Sequence, residues 1–483
     1  MHVTMVMAAS YSLPSPGRAM TVSHPSISAS ARQQAAMHIV ERLRAAGHIA
    51  YFAGGCVRDL LLGRDPSDFD VATSATPQQV LAMFPRTFAV GAQFGVVLVV
   101  DACEGAEILT EVATFRSDGA YSDGRRPDAV RYTDSAEQDV LRRDFTINGM
   151  LLDPARLRTS GSVSNAVLDF VGGREDLQRG IVRAIGDPGQ RFAEDKLRML
   201  RAVRFAARFG FEIEANTLRA IRAAAREIDQ VSCERVREEL TRMLTEGAAR
   251  RAFEMLEATG LLAEVLPEVA RMAGVEQPPQ YHPEGDVWIH TRMLLQQLPP
   301  GCSATLAWGA LLHDVGKPAT FRIAPDRIRF DGHVEVGVRM AEDICRRLRM
   351  SNGDTEQILA LVANHMRFAD VEKMRESTLK RFFRLHQFEE HLALHRMDCM
   401  ASHRDLSLYR FALERYQTAA PEQIRPAPLM TGDDLIALGF RPGPEFRNML
   451  TLVEDAQLEG RIDTREQALA MIAERFPRPP NRA

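Results

Sequence analysis

The sequence predicts an α+β protein, with its strands confined to the first third and a helical remainder. Three observations carry this. Short apolar, alternating or β-branched runs occur at Tyr51–Ala53, at AVGAQFGVVLVV (89–100) and at ILTEVATF (108–115). From Phe192 onward the apolar residues recur at helical spacing over long stretches. At 483 residues the chain is too long for one core, so two to four domains are expected.

In chain order, Ala31 to Gly47 carries Ile39, Val40 and Leu43 at helical spacing and delivers the chain to the first strand. The stretch Tyr51–Thr73, YFAGGCVRDLLLGRDPSDFDVAT, is the densest in chemistry. Gly54 and Gly55 end the strand and permit a turn with close backbone approach to a phosphate. A helix from Val57 to Leu62 holds Arg58 near its start, and a polar turn then leads to Asp68-Phe69-Asp70. If these continue as a strand, Asp68 and Asp70 share one face while Phe69 and Val71 enter the core. Paired carboxylates repel unless a cation lies between them, and hard oxygen ligands beside phosphates imply Mg²⁺. A lone DxD is more often a solvated turn; the full string is far more specific. Pro77–Phe84 predicts another helix, and Glu111 lies in the third strand as a candidate third carboxylate, with Glu107 a competitor before the strand. Segment 117–134 reads as a mobile loop.

Composition narrows the class. The formal net charge is -4, so any nucleic-acid surface is local. The 6 cysteines are scattered, without a CxxC pair, which fits a reducing cytoplasm. No apolar run has the length of a membrane span. Residues 1–30 read as a disordered extension, with Met20 an alternative start.

GGCVRDLLLG followed by DFDVAT resembles the first motif of class II tRNA nucleotidyltransferases, the CCA-adding enzymes and their bacterial poly(A) polymerase relatives. The resemblance covers about residues 35 to 476. It implies a polymerase-β-like head, a small mixed sheet with helices, followed by all-α neck, body, HD and tail domains. The expected boundaries are 31–172 for the head, 173–275 for neck and body, 276–420 for an HD domain and 421–483 for a helical, tRNA-binding tail. It also implies catalytic Asp68, Asp70 and Glu111 on Mg²⁺, a nucleotide-switching loop near 117–134, and a tRNA 3′ end, CTP and ATP as partners. Gly55 and Arg58 belong to the same nucleotide-binding motif. RRDFTINGM (142–150) is similar to the family's next motif with Gly149 in place of alanine. There Arg143 is expected to hold the triphosphate and Asp144 a ribose 2′-OH.

FAEDKLRMLRAVRFAARF (192–209) has no Gly or Pro and predicts one helix, with Asp195 and Arg198 on one face and Arg201 and Arg204 following. Such Asp-x-x-Arg pairs are usually surface ion pairs. Similarity to the family's EDxxR motif gives them another reading, a protein template. A carboxylate accepts from the exocyclic amine of cytosine or adenine, and a guanidinium donates to the ring nitrogen. Arg201 and Arg204 would carry phosphate and neighbouring contacts. Basic residues outnumber acids between Arg174 and Arg251, and all but one are arginine. That suits an RNA surface and equally a charged bundle. ERVREELTRML (234–244) resembles the family's fifth motif and is expected to pack the neck.

Further on, His290, His313-Asp314, His333, His365 and Asp398 follow the order of an HD phosphohydrolase module, with a divalent metal of unspecified identity. Any one of these histidines alone would more often be a satisfied core residue; together they imply metal binding. Lys317 is a candidate phosphate contact. The reading is CCA addition to, or repair of, tRNA in the cytoplasm. Its alternatives are an A-adding enzyme, a poly(A) polymerase, or an HD phosphohydrolase with an RNA-binding head.

Overall fold

The computed structural model describes residues 28–89, 95–103, 106–119, 130–280 and 282–476. The expected N-terminal extension lies outside these except for its last residues, as do most of the expected mobile loop and the segment after Phe476. The chain divides into two compact units. One contains the described residues to Asp118, Val130–Arg143 and Ile147–Gly173; the other contains Asp144–Thr146 and the described residues from Arg174.

The first unit is built on a seven-stranded mixed sheet. Ala50–Ala53 runs antiparallel to Asp70–Thr73, which runs parallel to Ala106–Thr114. Val96–Cys103 pairs antiparallel with the latter and carries the short Thr87–Phe88 on its outer edge. On the other side Leu151–Leu152 and Val167–Leu168 complete the sheet. Phe52, Val71, Val97, Val99 and Val112 are buried, and the Ala29–Ala45 helix adds Ile39, Val40 and Leu43. Phe69 is 4% exposed and packs edge-on against Phe52 at 5.3 Å. Burial of one such ring contributes about 2 kcal/mol, and it anchors the segment between the two aspartates. The strand starts only at Asp70, so Asp68 belongs to the preceding loop rather than to a continuous strand.

The second unit is helical. The expected single helix over 192–209 is broken. Pro188–Glu194 ends at Asp195, whose backbone is extended (φ -150, ψ 105), and a new helix runs from Leu197 to Phe209. The cause is local: the Asp195 carboxylate accepts the Leu197 amide at 3.1 Å, satisfying an otherwise unpaired donor of the second helix. Leu200, Val203 and Phe205 are buried on that helix, and Phe205 meets Phe145 edge-on at 5.9 Å. Phe368, Phe382, Phe383 and Phe388 form a later core cluster, and Leu435, Met449, Val453 and Ile472 form the core of the tail. Among the described residues no helix is long and apolar enough to cross a membrane.

Candidate functional sites

In the first unit, parallel pairing of Val71 with Val112 puts Asp70 and Glu111 one step back on adjacent strands, on one side of the sheet. The half-buried Asp70 carboxyl is pushed up to about 7 by desolvation and then by the charges of Glu111 and Asp68, with Arg143 opposing. Glu111 keeps an exposed edge, yet desolvation and then Asp68 raise it too. Two carboxyls raised by burial and by neighbouring acids, with Asp68 as a third hard oxygen donor beside them, are of the type that takes a divalent cation. Arg143 lies against the diglycine turn, where a Cβ on Gly54 (φ +73) would be 3.4 Å from its Nη1. It is aimed by Asp139, which accepts from Arg143 at 2.9 Å and from Arg142 at 2.5 Å. Arg58 is buried, donating to Asn148 Oδ1 at 2.6 Å and to Asp59 at 2.8 Å. Gly55 is the first residue of its helix, and the Arg58 guanidinium lies over it.

In the second unit, Asp144 accepts from Arg201 Nη2 at 2.7 Å and from the Phe145 amide at 2.7 Å. Burial opposes its ionisation, but Arg201 outweighs this and holds it below the usual carboxylate range. Asp195 is gripped by both terminal nitrogens of Arg235, at 3.1 and 2.7 Å. Arg198 donates to Glu194 at 2.7 Å and to the Arg191 carbonyl at 3.1 Å. Arg204 is 3% exposed, bonds Glu239 at 2.6 Å and reaches Glu246 at 3.5 Å. Arg204, expected to carry phosphate and neighbouring contacts, is thus buried in an ion pair that fastens two helices. Arg201 is bonded to Asp144 and keeps part of its side chain exposed, its guanidinium carbon lying 5.2 Å from the centre of the Phe205 ring.

All six expected HD residues converge. His290 Nε2 lies 3.1 Å from Asp398 Oδ1 and 3.3 Å from His313 Nε2, and His313 Nε2 lies 3.2 Å from Asp314 Oδ2. On the other oxygen of Asp314, His365 Nε2 lies at 3.7 Å and His333 Nε2 at 3.9 Å. Asp314 thus stands between two donor triads, His290–His313–Asp314 and Asp314–His333–His365. Each of these four histidines has its Nδ1 committed, to Glu284 for His290 and to the Ala310, Phe330 and Val362 carbonyls for His313, His333 and His365. The carbonyl acceptors place the proton on Nδ1 of His313, His333 and His365 and leave their Nε2 lone pairs facing inward. His290, bonded to Glu284 through Nδ1 and to Asp398 through Nε2, is instead raised to about 9, burial opposing and those bonds prevailing. Nε2 of His333 and of His365 are buried without a hydrogen-bond partner. The donor set fits one or two divalent cations. Lys317, the candidate phosphate contact, bonds Asp314 at 2.7 Å and Gln277 at 2.6 Å and is buried.

Sequence reasoning missed Glu284 and His282, which share a carboxylate oxygen with His290, and it missed Asp139 and Arg235 as partners of site residues. The alternating His-Pro-Glu before the helix was the available signal for the first two.

Three family models match: Poly A polymerase head domain over residues 50–183, probable RNA and SrmB-binding site of polymerase A over 210–272, and HD domain over 285–399. The chain is 42% identical over 228 residues to the CCA-adding enzyme of Geobacillus thermodenitrificans (strain NG80-2), covering 47% of this chain and 53% of that protein. This match therefore spans about half the length of that relative. It is 28% identical to the crystal structure of the Bacillus stearothermophilus CCA-adding enzyme in complex with CTP, with TM-score 0.70, covering 93% of this chain and 98% of that one. To the CCA-adding enzyme of Geobacillus sp. (strain WCH70) it is 30% identical over 440 residues, covering 90% of this chain and 95% of the relative. By that near full-length match, the chain belongs to the family of CCA-adding enzymes.

Proposed function

We propose that this chain is a template-independent nucleotidyltransferase of the cytoplasm that builds or repairs the CCA end of tRNA from CTP and ATP, releasing pyrophosphate. The observation that supports it most is the pair Asp70 and Glu111, both raised by burial and by the acids around them, Asp68 included, beside Arg143 and the Gly54 turn. Those carboxylates would hold Mg²⁺, which when bound supplies Lewis-acid activation of the primer hydroxyl and neutralises charge on the leaving phosphates. Arg143, aimed by Asp139, binds the triphosphate; Asp144 reads the ribose 2′-OH; Asp195 and Arg198 read the base. The 3′-hydroxyl attacks the α-phosphate and pyrophosphate leaves. Domains at 31–172, 173–275, 276–420 and 421–483 would divide this work into transfer, base selection, the HD site and grip on the tRNA.

The test uses tRNA transcripts ending before the CCA or after CC, with each labelled nucleotide in turn. C then A on the first supports full addition. A alone, only on the second, makes it A-adding, and long A tails on unrelated RNA make it a poly(A) polymerase. Asp195→Ala that keeps the C and A preference refutes the template reading.

A second activity, metal-dependent phosphoester hydrolysis at the HD site, is favoured by the four inward Nε2 atoms. Hydrolysis that survives Asp70→Asn and is lost in His313→Ala supports it as an independent site.

A further inference from the structure

The Asp195 carboxylate is held from two directions. Oδ1 accepts the Leu197 amide at 3.1 Å and Arg235 Nη1 at 3.1 Å; Oδ2 accepts Arg235 Nη2 at 2.7 Å. The amide is that of the first residue of the Leu197–Phe209 helix, and the fork comes from the first turn of the Cys233–Thr245 helix. Both side chains are mostly sheltered, at 16% and 21% exposure, so water competes little for these bonds.

Each carboxylate oxygen offers two lone-pair directions. On Oδ1 both are used; on Oδ2 one remains. An incoming base therefore meets a single acceptor position whose direction is set by Arg235.

We infer that Arg235 is the positioning residue for base selection: its fork fixes Asp195 so that one lone pair of Oδ2 admits an exocyclic amine and opposes a carbonyl. This deepens, and rests on, the reading of Asp195 as the base reader. Remove the fork and the Leu197 amide restrains Oδ1 alone. The carboxylate then turns about its last torsion, opens further acceptor directions, and no longer holds a negative oxygen opposite O4 of uracil. The carbonyl is rejected because like polar groups would be left facing each other unpaired, and that rejection is lost when one of them can rotate away. Lysine keeps the charge but offers no planar fork, so it restores the attraction without the direction.

The test measures kcat/KM for CTP and UTP on a tRNA transcript lacking CCA, with the full-length wild type, Arg235→Met, Arg235→Lys and Asp195→Ala. Equilibrium binding of CTP and UTP and thermal melting are measured alongside. Arg235→Met is expected to raise the UTP-to-CTP ratio about tenfold, and Arg235→Lys at least about threefold, both remaining folded. A helix-fastening role alone would lower both nucleotides together and leave the ratio unchanged. If Asp195→Ala raises the ratio while folded Arg235→Met keeps it within about twofold of wild type, the clamp is overturned and the base reader stands. If Asp195→Ala leaves the ratio unchanged, the base-reading assignment itself fails. If Arg235→Met does not fold, Arg235→Lys decides, and a wild-type ratio in that variant overturns the clamp.

Discussion

Arg201 donates to Asp144 through Nε at 2.9 Å and Nη2 at 2.7 Å, so the acid of RRDFTING and the arginine-rich helix are one bonded pair. Burial disfavours the Arg201 charge, but Asp144 and Glu239 more than restore it. Arg201→Met would leave Asp144 with less of its compensation. The side chain of Arg201 is 32% exposed, so screening reduces the cost to about 1–2 kcal/mol. If Asp144 reads the ribose, the same change lets it turn, and preference for CTP over dCTP should fall about tenfold. Urea unfolding and paired kinetics measure the two effects; unchanged sugar preference would remove Asp144 from ribose reading.

Asp139 gives the pH dependence a clear sign. Its carboxyl is buried, which opposes ionisation, but Arg143 and Arg142 outweigh burial and hold it below the usual carboxylate range. A depressed carboxylate contributes stability that is present above its unfolded pKa and is lost as pH falls through the folded one. Asp139→Asn should therefore cost about 2 kcal/mol at pH 7, nearly the same at pH 5, and progressively less below about pH 4. Urea midpoints of the two proteins at pH 7, 5 and 3.5 check this. A gap that widens on acidification contradicts it.

Asp70 has the opposite sign. Its carboxyl, pushed up to about 7, lies above the ordinary aspartate value of about 3.9, so the fold holds this proton more tightly and its contribution to stability falls as pH rises between them. In EDTA, Asp70→Asn should be more stable than wild type by about 1 kcal/mol at pH 8, with a smaller gap at pH 5. Nucleotide addition should fall at least about 100-fold. Retained addition would take Asp70 out of the transfer site.

Asp68, Asp70 and the HD residues were legible because their chemistry is written in local spacing: two acids in DFD, and an adjacent His-Asp closing an apolar helix. The break at Asp195 was not, since no glycine or proline marks it. Asp is both a tolerable helix residue and a strong cap, and only the geometry decides between them. The burial of Arg204 was hidden for a different reason. Its partner Glu239 lies 35 residues away, and a buried ion pair reads like an exposed charge until both ends are located. The Arg235–Asp195 fork, across 40 residues, escaped in the same way.

Glu284 orients His290 through a 2.6 Å bond to Nδ1 and is itself held down to about 2: burial opposes this, and the bonds from His282 and His290 prevail. Such an outer partner sets ligand orientation and basicity, and its loss costs about 10–100-fold in metal affinity. Glu284→Gln should weaken Co²⁺ binding by that factor, read from the visible absorption of an imidazole-bound ion, while CTP addition stays at the wild-type level. Equal affinity in the two proteins would show that Glu284 does not tune the site.

Gly316 allows the turn after His313-Asp314 to touch the helix that begins with His333. A Cβ there would collide with the His333 carbonyl oxygen and lie 2.6 Å from the Gly337 nitrogen, backbone atoms that cannot swing aside. Gly316→Ala should therefore destabilise the protein by about 2 kcal/mol and displace His333 from Asp314. Gly353 is the matched control, since a Cβ there meets nothing within 4 Å and it lies in the helix Asn352–Asn364. Gly353→Ala should leave stability unchanged or raise it by up to about 1 kcal/mol. Thermal melting and Co²⁺ titration of the pair separate the cases. If Gly316→Ala matches Gly353→Ala in both, the close approach does not hold His333 in place.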